Sequence, residues 1–315
     1  MELSRRALLK GSVGILGYGS LAPPQAQDPL SSWNAGPTKQ RILDFVRAST
    51  DQSSKNFLPP AERIATFDQD GTLWVEHPMY TQVVYALERV PTVVKAKPDL
   101  ANVEPFKTVI SGSREAIAKL SMDELLKILE ATLTGMSVDD FRAEVKRWLV
   151  MARDLRWKKP YTKLAYAPML ELLRYMRVSN YRTYIVTGGA QDFVRVFADQ
   201  VYGIPPEQVV GTASGISYEY DTHGRPFLTK DPKLLLNDNN AGKPEGVHLM
   251  IGRRPLRSIW QFDGGSANAG AHESRRRRTA SDAGAARRRP ARIRLRSCAG
   301  VARHHGWDVH PSALR

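Results

Sequence analysis

The stretch Arg63–Trp74, RIATFDQDGTLW, ends a short apolar run at two aspartates and a glycine. Asp68 and Asp70 are two positions apart, and Gly71 follows them directly. In a parallel sheet, residues just past the carboxyl end of a strand line the crevice where ligands bind. Two carboxylates so close raise each other's proton affinity unless a cation separates them. The stretch therefore favours a hard divalent metal and a phosphate group as ligands.

Composition is that of a globular protein. The 315 residues are 42% hydrophobic and 25% charged, which fits one large or two modest domains. No apolar run approaches the roughly 18 residues that indicate a membrane helix, so no membrane span is predicted. The single cysteine, Cys298, excludes a disulfide framework, a thiolate metal site and a cysteine nucleophile in the body of the chain.

The net charge of +14 is concentrated near the C-terminus. Residues 258–315 contain twelve Arg, no Lys and four acidic residues, a net charge of +8, and residues 1–257 carry only +6. A basic tail can bind nucleic acid or anionic lipid. Because the folded part is only mildly basic, however, we do not expect a nucleic-acid partner.

The N-terminus resembles a twin-arginine export signal. The sequence SRRALLK, residues 4–10, precedes a mildly apolar stretch from Gly11 to Ala22 and a Pro/Ala-containing exit, PPQAQ. This resemblance predicts that residues 1–27 are a signal peptide, that the twin-arginine export machinery is a partner, and that the mature protein is periplasmic. The alternative is a disordered basic N-terminus with a chance Arg pair.

Hydrophobic periodicity predicts an α/β protein with a parallel sheet. Helices are expected over Thr38–Thr50 and Gln191–Tyr202, the second closing on Gly203, and strands over Arg63–Phe67 and Tyr181–Val186. The sequence GISYEYDTHGRPFLTK, Gly215–Lys230, predicts a β-hairpin.

Strand signals are scarce from residue 78 to residue 163. Ser121 and Ser137 each begin a Ser-x-x-acid pattern, which is typical of a helix start. We therefore predict a helical cap over residues 78–163, inserted between two parts of the core at residues 38–77 and 164–257.

Asp68-Gln69-Asp70-Gly71-Thr72 resembles motif I, DxDGT, of the haloacid dehalogenase superfamily in its phosphatase form. The resemblance, closest to the phosphoserine-phosphatase-like branch, implies a Rossmann-like parallel sheet flanked by helices with an inserted α-helical cap. It also implies that Asp68 is the nucleophile that forms an aspartyl-phosphate and that Asp70 is the general acid/base. Because attack on a carbon–halogen bond needs no such acid, the second aspartate argues against a dehalogenase. The structural alternative is an acidic Asp-Gly turn.

Two further motifs of the family have matches in the same chain order. TYIVTGG, residues 183–189, resembles motif II, which implies that the Thr187 hydroxyl and the Gly188 and Gly189 N–H groups bind the phosphoryl oxygens. Lys243, in NNAGKPEGVHLMIG, resembles the lysine of motif III that steadies the nucleophile and the phosphoryl charge. The alternatives are a helix-capping threonine and a solvated lysine.

The histidines have simpler interpretations. Glu76 and His77 follow motif I where the family has a flap entering the cap, so they either touch substrate or serve a local turn. His223 and His248 have no spacing typical of zinc ligands.

The fourth motif breaks the resemblance. Asp263 is the residue expected to complete a Mg²⁺ shell with Asp68 and Asp70, but its surroundings match neither GNSxxD nor GDGxxD. Reading one nucleotide later from Ile259 onward permits a GNSxxDxxML sequence. We therefore hypothesise that residues from about Arg257 are an off-frame translation and that residues 258–315 are an aberrant, disordered basic tail. An independently confirmed, uninterrupted reading frame would contradict this hypothesis.

These patterns together predict a Mg²⁺-dependent phosphomonoester hydrolase acting on a small phosphorylated metabolite. The main alternative is a catalytically impaired or non-catalytic protein of the same fold that binds phosphate or a partner, because the fourth motif is missing. A phosphotransferase, and a nucleic-acid-binding protein that depends on the arginine tail, also remain open.

Overall fold

The computed structural model describes residues 28–255 and the backbone of residues 257–259. The predicted export signal, the basic tail beyond Ile259 and Asp263 lie outside the described residues; the first two residues of the predicted tail, Ser258 and Ile259, belong to a strand. Among the described helices, none combines the length and the apolar character that crossing a lipid bilayer requires.

Ten α-helices and five strands make up the described part of the chain. The helices are α1 Pro37–Thr50, α2 Thr81–Ala96, α3 Phe106–Ile110, α4 Arg114–Ile117, α5 Met122–Leu133, α6 Val138–Met151, α7 Ala167–Val178, α8 Gln191–Arg195, α9 Ala198–Tyr202 and α10 Gly242–Gly246, which continues as a π-helix over Val247–Ile251. The strands are β1 Ile64–Phe67, β2 Arg182–Ala190, β3 Val209–Tyr220, β4 Pro226–Leu236 and β5 Arg257–Ile259.

The strands form one sheet in the order β4-β3-β2-β1-β5. β5, β1, β2 and β3 are parallel, and β4 returns antiparallel to β3. All four residues of the interior strand β1 are buried, because helices cover the sheet. The predicted fold class, a parallel sheet flanked by helices with a helical cap, is confirmed. The carboxyl ends of β1 and β2 are adjacent, so Asp68, which follows β1, and Thr187, near the end of β2, lie at the same edge of the sheet.

The segment between β1 and β2 contributes the cap helices α2–α6. Ser121 caps α5 in a reciprocal capping box with Glu124, and the Ser137 hydroxyl accepts the Asp140 N–H at the start of α6. Both predicted helix starts are therefore confirmed. The inner faces of α2, α3 and α5 pack into a separate apolar cluster that includes Val90, Phe106 and Ile128. This second cluster stabilises the cap apart from the sheet.

A short N-terminal strap, residues 28–33, packs against α7. Leu30 and Trp33 are fully buried, and the Trp33 indole N–H donates to the Pro168 carbonyl at 3.0 Å. The Ser32 N–H donates to the Glu171 carboxylate at 2.8 Å. Leu30 and Trp33 thus make the strap part of the core.

Two predicted elements differ from the structure. The helix predicted over Gln191–Tyr202 is broken into α8 and α9, because Phe197 leaves helical geometry at φ −125° and packs on Trp74. The predicted closure on Gly203 is correct, since Gly203 has φ +64°. The hairpin predicted over Gly215–Lys230 is longer, with strands over residues 209–236 around a turn that contains Gly224 at φ +74°.

A buried ion pair joins the hairpin to the cap and to α8. The Lys230 ammonium on β4 contacts the Asp192 carboxylate, and its nitrogen lies 4.9 Å from the centre of the Phe141 ring of α6. The Lys230 N–H also donates to the Met136 carbonyl at 3.0 Å, in the loop between α5 and α6. The hairpin thus ties the cap to the helix that follows β2.

Replacing Lys230 by Met should lower the free energy of unfolding by about 2 to 4 kcal/mol, because Asp192 would then be buried without its main cation. Arg195, 3.7 Å from Asp192, limits the loss. Lys233→Met on the exposed part of the same strand is the matched control and should change stability by less than about 0.5 kcal/mol. Urea unfolding followed by circular dichroism measures both, and equal effects would contradict a stabilising Lys230–Asp192 pair.

Candidate active site

A tight turn follows β1 and presents Asp68 and Asp70. The Leu73 N–H donates to the Gln69 carbonyl and the Gly71 N–H donates to the Trp74 carbonyl, both at 2.9 Å. Gly71 has φ +67°, a conformation that favours glycine. The glycine of the DQDGT sequence is thus required by the backbone of the turn itself.

Lys243 lies directly against Asp68. Its ammonium nitrogen is 2.9 Å from Asp68 Oδ1 and donates to the Val186 carbonyl at 3.1 Å. The Gln69 N–H also donates to Asp68 Oδ1, at 2.9 Å. Asp68 is 8% exposed and Lys243 3% exposed, so a lone charge at either position would be costly. The structure therefore brings together two predicted site residues that are far apart in the chain.

Close backbone packing positions Lys243. A Cβ at Gly242 would lie 1.7 Å from the Asn237 carbonyl oxygen, so only glycine fits before the lysine. This contact sets the first turn of α10 against the end of β4.

Asp70 is partly exposed and is held by a neighbouring tryptophan. The Trp74 indole N–H donates to Asp70 Oδ1 at 2.8 Å. Burial raises the pKa of Asp70 to about 7, with the nearby Asp68 and Glu76 adding to the rise, while the Trp74 N–H and Lys243 oppose it. At neutral pH this carboxyl can therefore hold or release a proton.

The predicted phosphate-binding residues lie at the end of β2. Regular pairing between β2 and β3 ends at Thr187, and Gly188 and Gly189 bulge out of the ladder. Thr187 is 1% exposed, whereas Gly188 is exposed. The Gly189 N–H donates to Thr187 Oγ1 at 3.1 Å, so in this state that amide is engaged within the loop. A Cβ at Gly189 would be 3.9 Å from Asp70 Oδ2, which places this bulge beside Asp70.

The donor set suits magnesium in part. Asp68 and Asp70 supply oxygen donors, the ligands that Mg²⁺ prefers, and Mg²⁺ commonly keeps several waters beside one or two carboxylates. The third predicted ligand, Asp263, lies outside the described residues. Within residues 28–255, no group of three or more His, Cys, Asp or Glu side chains is arranged to hold a metal ion.

Asp238, which the sequence patterns did not single out, is a buried carboxyl near Lys243. It is 0% exposed, and neither carboxyl oxygen has a hydrogen-bond partner. Burial raises the pKa of Asp238 to about 8; the positive charge of Lys243 opposes this rise and the negative charge of Asp68 adds to it. A Cβ at Gly246 would be 2.1 Å from Asp238 Oδ1, so α10 leaves space for the carboxyl. The sequence feature that could have indicated Asp238 is the acidic, amide-rich run NDNN, which precedes Gly242 and Lys243.

Glu76 and His77 differ in solvent exposure although their side chains are close together. The Glu76 side chain is only 2% exposed, whereas the His77 side chain is 65% exposed, and the His77 Nε2 atom is 3.5 Å from Glu76 Oε1. Gln82, in the first turn of α2, was also missed: its Oε1 accepts the Ala190 N–H at 2.8 Å and thus joins the cap to the end of β2.

The fold and the paired aspartates define a hydrolase of the haloacid dehalogenase type. A family model described as haloacid dehalogenase-like hydrolase matches residues 65–243, more than half of the chain. The chain therefore belongs to the haloacid dehalogenase-like hydrolase family. No curated protein sequence matches it.

Solved structures resemble this one at low sequence identity. A functionally unknown protein from Anaerococcus prevotii is 13% identical, with a TM-score of 0.50, and the match covers 76% of this chain and 84% of that chain. A protein with unknown function from Bordetella pertussis is 15% identical, with a TM-score of 0.39 and coverage of 61% and 74%. A phosphoserine phosphohydrolase-like protein from Francisella tularensis is 15% identical, with a TM-score of 0.34 and coverage of 67% and 82%. The Anaerococcus protein shares the fold.

Asp238→Asn should flatten the pH dependence of stability. The pKa of Asp238 is about 8 in the folded protein against an ordinary value of 3.8, so between these pH values the folded state keeps a proton that the unfolded chain has lost. This contribution to stability is complete below pH 3.8 and is lost as the pH rises towards 8. Relative to the variant, the wild type should lose more than about 1 kcal/mol between pH 5 and pH 8.

The measurement is urea unfolding at pH 5 and pH 8 in the presence of EDTA. Asp139→Asn is the control, because the Asp139 side chain is 92% exposed, and it should keep the wild-type pH dependence. If Asp238→Asn follows the wild type at both pH values, the raised pKa of Asp238 is wrong.

Proposed function

We propose that this protein is a Mg²⁺-dependent phosphomonoester hydrolase of the phosphoserine-phosphatase-like branch, acting on a small phosphorylated metabolite. The observation that carries the proposal is the buried contact between the Asp68 carboxylate and the Lys243 ammonium at 2.9 Å, in a DQDGT turn at the end of β1. A carboxylate in this setting is oriented and charge-compensated for attack on an electron-rich phosphorus centre.

In the first step, a carboxylate oxygen of Asp68 attacks phosphorus in line with the ester oxygen. A bond from Asp68 to phosphorus forms, the phosphorus–oxygen ester bond breaks, and the leaving alkoxide takes a proton from Asp70. The pKa of about 7 for Asp70 supports this assignment, because such a carboxyl carries a proton at neutral pH and can still give it up. Lys243 offsets negative charge on Asp68 and on the transferring group.

In the second step, Asp70 returns as a base. It takes a proton from water, whose oxygen attacks the phosphorus of the aspartyl-phosphate, and the bond to Asp68 breaks to release inorganic phosphate. Thr187, with the Gly188 and Gly189 N–H groups, is proposed to bind the phosphoryl oxygens. For Gly189 this requires its N–H to turn away from Thr187 Oγ1, its present acceptor.

Asp68, Asp70 and Asp263 are the proposed ligands of Mg²⁺, with Asp70 contributing its main-chain carbonyl oxygen because its carboxyl is assigned to proton transfer. When bound, the ion supplies positive charge that offsets the phosphoryl oxygens and the carboxylates. The two described ligands are oxygen donors at the carboxyl edge of the sheet, which suits a hard cation.

Export to the periplasm is part of the proposal. It rests on the Arg5-Arg6 pair and the apolar stretch that follows it. A folded domain that assembles its site before export is compatible with the twin-arginine machinery.

A non-catalytic phosphate- or partner-binding role is the second candidate. It is favoured by the absence, among residues 28–255, of a group of three His, Cys, Asp or Glu side chains arranged to hold a metal ion. The two candidates differ in one measurable property, which is turnover of a phosphomonoester.

Asp68→Asn should abolish phosphatase activity, because an amide cannot form the phosphoenzyme. We expect the wild-type chain to release p-nitrophenol from p-nitrophenyl phosphate only with added Mg²⁺, and the variant to be at least about 1,000-fold slower. Beryllium fluoride with Mg²⁺ should protect the wild type, but not the variant, from thermal unfolding.

Asp139→Asn serves as the control, since that exposed side chain lies on a cap helix and should leave activity unchanged. A wild-type chain without turnover would favour the non-catalytic role. Full activity in Asp68→Asn would exclude Asp68 as the nucleophile.

A further inference from the structure

A buried hydrogen bond distinguishes the two oxygens of Asp70. The Trp74 indole N–H donates to Asp70 Oδ1 at 2.8 Å, and Trp74 is 1% exposed. An indole N–H is a donor only, so it always requires an acceptor at Oδ1. In a protonated carboxyl the carbonyl oxygen is the better acceptor, so the bond to Trp74 favours Oδ1 as the carbonyl oxygen and Oδ2 as the oxygen that carries the proton.

The indole ring is held by an aromatic stack and by a hydrogen bond of its own backbone. It stacks on Phe197 with ring centroids 4.6 Å apart and an interplanar angle of 20°, and Phe197 in turn packs edge-on against Phe193 and Tyr202. The Trp74 backbone is tied back to the turn, since its carbonyl accepts the Gly71 N–H at 2.9 Å. A donor held in this way restricts rotation of the Asp70 carboxyl.

The other oxygen lies on the side of the predicted phosphate-binding bulge. A point one bond from the Gly189 Cα, where a Cβ would be, is 3.9 Å from Asp70 Oδ2, 3.4 Å from Thr187 Oγ1 and 3.0 Å from Gln82 Oε1. Oδ2 thus shares this small region with polar atoms from β2 and from the cap helix α2.

We propose that Trp74 is a positioning residue for Asp70: its N–H occupies Oδ1 and thereby keeps the proton-bearing Oδ2 directed at the leaving-group oxygen of the substrate. This inference rests on the proposed phosphatase reaction. The Asp70 Oδ2–H bond breaks as the phosphorus–oxygen ester bond breaks, and the proton passes to the leaving oxygen while Oδ1 stays bonded to Trp74. Without the indole N–H, the carboxyl rotates and the proton is often misdirected.

The catalytic test compares two leaving groups. An alkoxide needs a proton as it leaves, whereas p-nitrophenolate is weakly basic and leaves without one. In Trp74→Phe, kcat/KM for glycerol 2-phosphate should fall about 10- to 100-fold, and kcat/KM for p-nitrophenyl phosphate should change less than about 3-fold. The ratio kcat/KM is used because it reports the ester-cleavage step, whereas kcat also includes hydrolysis of the phosphoenzyme.

Phe197→Leu is the matched control, because it loosens the same aromatic stack and keeps the indole N–H. It should lower kcat/KM for both substrates by the same factor. An equal fall in kcat/KM for both substrates in Trp74→Phe would overturn the proposal, since a packing defect alone has this effect. If Trp74→Phe does not fold, site-specific incorporation of benzothienylalanine at position 74 removes the N–H at nearly constant shape. The same comparison of kcat/KM for the two substrates then tests the proposal.

A spectroscopic test does not depend on turnover. In protein labelled with ¹⁵N at tryptophan, the indole resonance that is lost in Trp74→Phe, or in the benzothienylalanine protein, belongs to Trp74. It should move upfield in Asp70→Ala and stay in place in Asp139→Ala. An unchanged resonance in Asp70→Ala would refute the hydrogen bond. If the resonance shifts in Asp70→Ala but the wild-type chain has no phosphatase activity, the proposed function is refuted and the hydrogen bond is retained.

Discussion

The ion pair between Asp68 and Lys243 is the constraint on which the rest of the site depends. Both side chains are nearly excluded from water, so each charge is tolerable only because the other lies 2.9 Å away. The carboxylate follows β1, and the ammonium comes from α10, which follows the hairpin in the chain. The close contact of Gly242 with Asn237 follows from this requirement, because α10 has to approach the end of β4 for Lys243 to reach Asp68.

The carboxyl groups near this ion pair differ in their hydrogen bonding and exposure. Asp70 and Asp238 both have raised pKa values, about 7 and about 8, and in both cases Lys243 opposes the effect of burial. Only Asp70 has a hydrogen-bond donor on its carboxyl, from Trp74. One positive charge therefore serves three carboxyls, and their differing solvent exposure and partners separate the group suited to attack from the one suited to proton transfer.

The cap and the core are joined by polar contacts close to the site. Gln82 bonds the end of β2 from α2, and Lys230 links the hairpin, α6 and α8 through Asp192 and Phe141. Of these side chains, Gln82 lies beside Gly189, so the cap reaches the region where a phosphate is proposed to bind. Movement of the cap would change the position of Gln82 relative to Gly189 and would therefore change the geometry of this bulge.

The sequence by itself determined the features that depend on neighbouring residues: the strand and turn that carry Asp68 and Asp70, the capped helices after Ser121 and Ser137, and the glycine end at Gly203. Each follows from local backbone preference and periodicity. Motif order also placed Thr187 and Lys243 near the turn, although their roles stay predictions. Tertiary structure alone decided the break at Phe197, the bond from Trp74 to Asp70 and the burial of Asp238. These depend on side chains from distant segments that share one packed space, and no local pattern encodes which neighbours meet there.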